Sequence, residues 1–280
     1  MATATRLPRS VPLALGLVVV YILLAAGLGN LLSSLASEDE PAAQFALSHL
    51  IPAPIAIAVL LLFLNRAGWG TGVWREKPTP NLHPRRLWLL SIPVLAILVP
   101  LSQLPDVPWA DRTVGFVALV ALGTLMVGFG EELLVRGILL TAFRARRGEL
   151  VTMLGTALVF ALAHIPGSVI AGVPLGAILF QVTVLGASGI AFYWIRRTTG
   201  RLWVAMLVHA LTDWTLYLAS GTGIPTSALT HPSNDTSGSP ITITAQFLLW
   251  VAVAVSIISV VREDRRSRNS DALAHGARVS

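Results

Sequence analysis

The chain has no cysteine, which excludes disulfides, thiolate metal sites and cysteine nucleophiles. It is also poor in charge. Asp, Glu, Lys and Arg make up 12% of its 280 residues, about half the share of a soluble domain. Lysine occurs once, at Lys77, so almost all positive charge is arginine. The basic residues sit between apolar stretches, and no basic motif is interleaved with aromatics. The sequence pI near 10.9 is therefore no sign of a nucleic-acid partner, and none is expected.

What is abundant is apolar sequence. Hydrophobic residues make up 54% of the chain and the mean hydropathy is +0.73. Several windows are apolar for the ~20 residues needed to cross a bilayer. A soluble fold would leave most of the chain without an aqueous face. The expected fold is all-α, a polytopic transmembrane helix bundle with the lipid bilayer as its first partner. Eight spans are predicted, roughly 11–33, 44–65, 87–104, 113–140, 150–166, 169–195, 201–220 and 241–261.

Charge supports this count. Arg6 and Arg9 precede the first span; Arg66, Arg75, Lys77, Arg85 and Arg86 follow the second, and Arg144, Arg146 and Arg147 the fourth. Arg196, Arg197 and Arg201 follow the sixth, and Arg262, Arg265, Arg266, Arg268 and Arg278 the eighth. The alternate loops hold only Arg112. Positive charge on the inner side then puts both termini in the cytoplasm. Residues 1–261 read as one integral membrane domain, and 262–280 as a charged cytoplasmic tail without structure. Leu35-Ala36-Ser37 resembles a signal cleavage site, but the apolar run before it exceeds the usual ~7–15 residues and predicts a retained helix. The Ser-, Thr-, Gly- and Pro-rich stretch from Gly221 to Pro240 reads as a flexible external loop. Asn234-Asp235-Thr236 within it matches a glycosylation sequon, a pattern frequent by chance.

Against this background Glu131, Glu132 and Arg136 stand out inside the fourth span. Each charge in lipid costs at least ~2.5 kcal/mol on the mildest scale, so three in six residues need a reason. Glu132 and Arg136 are i, i+4 and can pair on one face. Glu131 is turned about 100° away and keeps no such partner; it is the candidate base. The fifth span ends at Phe160-Ala161-Leu162-Ala163-His164, and the seventh carries His209-Ala210-Leu211-Thr212-Asp213. His209 and Asp213, again i, i+4, aim an imidazole and a carboxylate at one point. Carboxylates and imidazoles from three helices could bind a divalent metal such as zinc through His164, His209, Asp213 and Glu131. They could equally polarise a water or stabilise an oxyanion without metal. Depth is a check on convergence. Glu131 lies roughly 12–14 Å from the cytoplasmic surface and His164 ~21 Å, a mismatch that tilt or an interfacial first turn would have to absorb.

The three motifs, in order, resemble the EExxxR, FxxxH and HxxxN/D motifs of the CAAX-protease and bacteriocin-processing (Abi) family of intramembrane endopeptidases. The resemblance covers roughly 113–220 and the eight-span layout. It implies that Glu131 and His164 activate water, that His209 and Asp213 complete the site, and that Glu132, Arg136 and Phe160 support it. Asp213 stands where eukaryotic CAAX-cleaving members carry Asn, and an ionised Asp cannot donate a hydrogen bond. That favours orienting His209, or metal ligation, over an amide-type oxyanion role.

The implied function is hydrolysis of membrane-anchored or membrane-proximal peptides, with access from the cytoplasmic side, by a multi-pass protein of a prokaryotic plasma membrane. Neither Ser168 nor Ser188 has the partner pattern of a nucleophile. Residue types leave open whether zinc or the Glu131–His164 couple activates the water; the reading leans to metal-independent glutamate chemistry. The alternative is a non-enzymatic carrier, immunity or scaffold protein using the charges as relays or structural pairs. The absence of transporter-like repeats argues against a carrier. His49 reads as a packed or snorkelling histidine. Gln181 is a weak candidate for lining the site. Gly172, Gly176, Gly186 and Gly189 read as close-approach positions, and Tyr193, Trp194 and Trp203 as interfacial anchors.

Overall fold

The computed structural model describes residues 7–37, 39–220 and 239–279. Among the described residues eight helices are long and apolar enough to span a bilayer: α1 (Val11–Ser33), α2 (Pro41–Ala67), α3 (Leu87–Asp106), α4 (Val114–Arg144), α5 (Glu149–Ile170), α6 (Leu175–Thr199), α7 (Leu202–Ser220) and α8 (Pro240–Ser270). No strand occurs among the described residues; an isolated bridge pairs Arg75 with Arg201. The bundle is held from outside by a shell of exposed Leu, Val, Ile and Phe, the face that lipid covers. Of the predicted external loop from Gly221 to Pro240, residues 221–238, with the sequon, lie outside the described residues.

The most enclosed span is α7, half of it buried, and it packs chiefly on α4. Glycine explains the close approach. A Cβ on Gly128 would stand 2.6 Å from the Met206 carbonyl oxygen, so any side chain there would push α4 off α7. Gly189 does the same for α6 on α5, against Ala157. The other glycines singled out from sequence differ. Gly176 and Gly186 face open space, while Gly172 has φ +70° in the turn before α6, a conformation suited to glycine.

An ion-paired belt ties the helices together at the arginine-rich end. Arg144 binds Glu76 and Glu149, the latter with Nε 2.6 Å from Oε1. Arg197 donates to both oxygens of Glu263 at 3.0 and 3.2 Å, and Arg86 reaches the same carboxylate at 2.8 Å. The Tyr193 hydroxyl donates to Glu149 at 2.7 Å. Asp264, from α8, accepts from the backbone N–H groups of Glu149 and Leu150 at 2.9 and 3.1 Å. It thereby caps the start of α5, whose first amides have no partner in their own helix.

The last helix runs on past residue 261 to Val279, and Glu263 and Asp264 tie its base to Arg86, α6 and α5. The belt corrects one expectation. Tyr193 and Trp194 are fully buried and are not interfacial anchors; Trp194 Nε1 donates to Ser256 Oγ at 2.7 Å. Trp203, 56% exposed, keeps the position of an anchor.

Candidate active site

Thr113 caps α4, accepting from the Phe116 N–H at 3.2 Å, and the helix is regular as far as Glu132. From Leu133 to Leu139 it widens into a π-helical stretch, every residue of which is buried. Such segments are rare and recur at functional sites. The two glutamates therefore sit at the seam between two helical geometries.

Their environments are opposite. Glu132 is wholly buried, and its Oε1 accepts from Arg136 Nη1 and from His209 Nδ1, each at 2.9 Å. Arg136 donates its second Nη to the Gly189 carbonyl at 3.0 Å. Its guanidinium lies against the rings of Phe160 and Phe192, 4.4 and 5.2 Å from their centroids. The His209 ring stacks on Phe192 at 4.8 Å. Glu132 thus holds the Nδ1–H edge of His209, sets the tilt of its ring and directs Nε2 away, into the cavity. The expected Glu132–Arg136 pair is present, and its link to His209 is an addition to it.

Glu131 is one-fifth exposed and faces that cavity. Its Oε2 lies 3.8 Å from His209 Nε2 and 3.9 Å from His164 Nε2. His164 sits where α5 breaks, at Ala163–His164. Its Nδ1 is 2.8 Å from the Phe160 carbonyl, which can only accept. The proton therefore sits on Nδ1, and Nε2 is left facing Glu131. Asp213 Oδ2 is 3.4 Å from His209 Nε2. These separations exceed ordinary hydrogen bonds.

The depth mismatch shrinks because α4 continues past residue 140. Glu131 is thirteen residues from Arg144, and His164 fifteen from Glu149. Both then lie about 20 Å from that end of the bundle.

Two chambers meet at this cluster. One, of about 370 Å³, is lined by α1, α2, α4, α5, α6 and α7 and contains Glu131, His164, His209 and Asp213. The other, of about 310 Å³, opens between α3, α6, α7 and α8 and is mainly apolar. His209, Asp213 and Gln181 line both.

Residues 113–215 match the Rce1-like family, described as type II CAAX prenyl endopeptidases. This agrees with the resemblance carried by the three motifs, all of which fall inside the matched segment. No curated protein and no solved structure was found to match the chain.

The Rce1-like segment supplies α4 to α7, but it does not enclose the cavity alone. Tyr21 of α1 and His49 of α2 complete the wall, and Tyr217 stands just beyond the matched residues. His49, read from sequence as a packed residue, accepts at Nε2 from the Tyr217 hydroxyl at 2.9 Å. Tyr217 was legible in principle, being four residues on from Asp213 and eight from His209. Gln181 does line the site, and Ser168 donates to it at 2.6 Å. Phe192 and the Gly189 carbonyl carry no sequence signal.

For a divalent metal, among the described residues no three His, Asp or Glu side chains are grouped so as to hold an ion. His209 has one nitrogen committed to Glu132.

Proposed function

We propose that this protein is an intramembrane endopeptidase that hydrolyses peptide bonds of membrane-anchored or membrane-proximal substrates, using water activated by Glu131 and His164. The observation that carries the reading is the gap bounded by Glu131 Oε2, His164 Nε2 and His209 Nε2. A water bound at about 2.8 Å to Glu131 and either histidine would subtend roughly a right angle. That is a natural seat for a nucleophile.

In the proposed sequence Glu131 takes a proton from that water, and its oxygen forms a bond to the substrate carbonyl carbon. His164 Nε2 accepts a hydrogen bond from the water's other O–H, which stays on the oxygen, and holds the nucleophile in line. The carbonyl oxygen becomes an oxyanion beside His209, which donates Nε2–H while Glu132 accepts from Nδ1–H. Asp213 orients that Nε2 before substrate arrives. Collapse breaks the C–N bond, and Glu131 returns its proton to the leaving amine. Atoms and charge balance with water as the only co-reactant.

The family match supports a CAAX-type peptidase. Access from the arginine-rich end, taken as cytoplasmic by the positive-inside rule, is part of the same proposal. The test is cleavage of single-anchor peptides by the protein in vesicles, in H₂¹⁸O. One ¹⁸O atom should enter the new carboxylate, chelator should not slow the reaction, and Glu131→Ala should abolish it. Full activity of a folded Glu131→Ala protein would remove Glu131 from the mechanism, and loss of activity on chelation would bring a metal into it.

A further inference from the structure

His209, Asp213 and Tyr217 are spaced four apart on α7, and all three line the chamber that holds Glu131. Successive members drift only about 40° around the helix, so they form one row, each step rising about 6 Å. Tyr217 lies outside the Rce1-like segment. Its partner His49 belongs to α2, a span that the mechanism above does not use.

The hydrogen bonds around His49 fix which way the Tyr217 proton points. Ser48 Oγ donates to the Gln44 carbonyl at 2.8 Å, so its oxygen is left to accept from His49 Nδ1 at 2.7 Å. The Phe45 carbonyl, 3.2 Å from the same nitrogen, can only accept. Nδ1 therefore carries the ring proton, and Nε2 accepts from the Tyr217 O–H at 2.9 Å. The ring is clamped by stacking on Phe45 at 4.3 Å. Phe45 fits only because residue 123 is glycine, where a Cβ would come 2.4 Å from its ring. With its proton committed to His49, Tyr217 keeps lone pairs on the chamber side. It presents an acceptor and no donor there. A carboxylate or phosphate would find no hydrogen there and would meet Glu131 and Asp213 in the same chamber, whereas a backbone N–H is suited to it.

A peptide must be extended for its carbonyl to be attacked, because helical carbonyls are already hydrogen-bonded within the helix. Tyr217 stands about 12 Å along α7 from His209, and an extended chain covers that in three to four residues. We propose that Tyr217, held by His49, binds the substrate strand: its hydroxyl oxygen accepts a hydrogen bond from a backbone N–H three or four residues from the bond that is cut. Tyr217 touches substrate, and His49 is a positioning residue acting through it. The proposal rests on the endopeptidase reading and adds a subsite to it.

The test uses the full chain in phosphatidylcholine–phosphatidylglycerol vesicles with a library of peptides bearing one apolar anchor. Peptides cleaved by the wild type are remade with each backbone amide near the cut replaced in turn by an ester, which removes the N–H. The wild type should lose about five- to tenfold in kcat/KM, mainly through KM, for one ester three or four residues from the cut. Tyr217→Phe should be slower by a similar factor on the all-amide peptide and indifferent to that ester. His49→Gln, whose amide oxygen can still accept from Tyr217, should behave as wild type, and His49→Leu as Tyr217→Phe. Equal ester penalties in wild type and Tyr217→Phe, or no sensitive position, would overturn the proposal while leaving the endopeptidase reading intact. A wild type that cleaves no peptide would overturn both.

Discussion

The belt at the arginine-rich end and the cluster around Glu131 both set carboxylates beside nitrogen-bearing side chains, arginines in the one and histidines in the other, to opposite effect. In the belt, carboxylates meet their partners closely: Glu149 lies 2.6 Å from Arg144 and 2.7 Å from Tyr193, and Glu263 lies 2.8 Å from Arg86. Around Glu131 the nearest imidazole nitrogens stand 3.8 and 3.9 Å away. A satisfied carboxylate holds helices together, since removing one partner of a buried pair costs roughly 3–5 kcal/mol. A carboxylate kept at arm's length can take up a third body. The contrast also separates two adjacent residues, because Glu132 is bound like the belt and Glu131 like the cavity.

Substitutions should separate the two regions, and the largest effect is expected at the cavity. Glu131→Gln removes the base but keeps the shape, and should lower the cleavage rate by about 10²–10⁴ with an unchanged unfolding temperature. Glu132→Gln mixes both behaviours. It leaves Arg136 buried without its counter-charge and frees His209 to turn. Cleavage should fall about a hundredfold and thermal stability should fall with it, read by unfolding in detergent. Asp213→Asn keeps a polar partner for His209 Nε2, so the rate should stay within about tenfold of wild type. A thousandfold loss there would mean that the charge of Asp213, rather than its hydrogen bonding, is what the site needs. The smallest effect on rate belongs to Glu149→Gln. It should leave kcat/KM unchanged while lowering the unfolding temperature, because Arg144, Arg197 and Tyr193 all converge on that carboxylate.

Much of this architecture was legible in one dimension. Hydropathy gave all eight spans, because each must be apolar for the length of a bilayer whatever its neighbours are. Their ends were less legible: α4 extends to Arg144 because that arginine is neutralised by Glu76 and Glu149, partners distant in sequence or across a turn. The helix beyond Val261 is charged in composition, and Arg86, Arg197 and the start of α5 show what its base is tied to.

At the site, the intramembrane cost of charge singled out Glu131, Glu132, His164, His209 and Asp213, and helical spacing paired Glu132 with Arg136. Spacing within one helix could not show that Glu132 also grips His209, seventy-seven residues on. Nor could it place His49, whose value depends on Phe45 stacking over Gly123 and on Tyr217 arriving from α7. Tyr193 and Trp194 were misread because aromatic residues near a span end suit lipid headgroups and buried ion pairs alike.

The decisive measurement compares Glu131→Gln and Glu149→Gln side by side, recording cleavage rate and unfolding temperature on the same vesicle-reconstituted protein. The account predicts that the first variant loses cleavage at wild-type stability and the second loses stability at wild-type cleavage. If cleavage instead follows unfolding temperature in both, the cluster around Glu131 is a structural ion network like the belt, and the hydrolytic reading is contradicted.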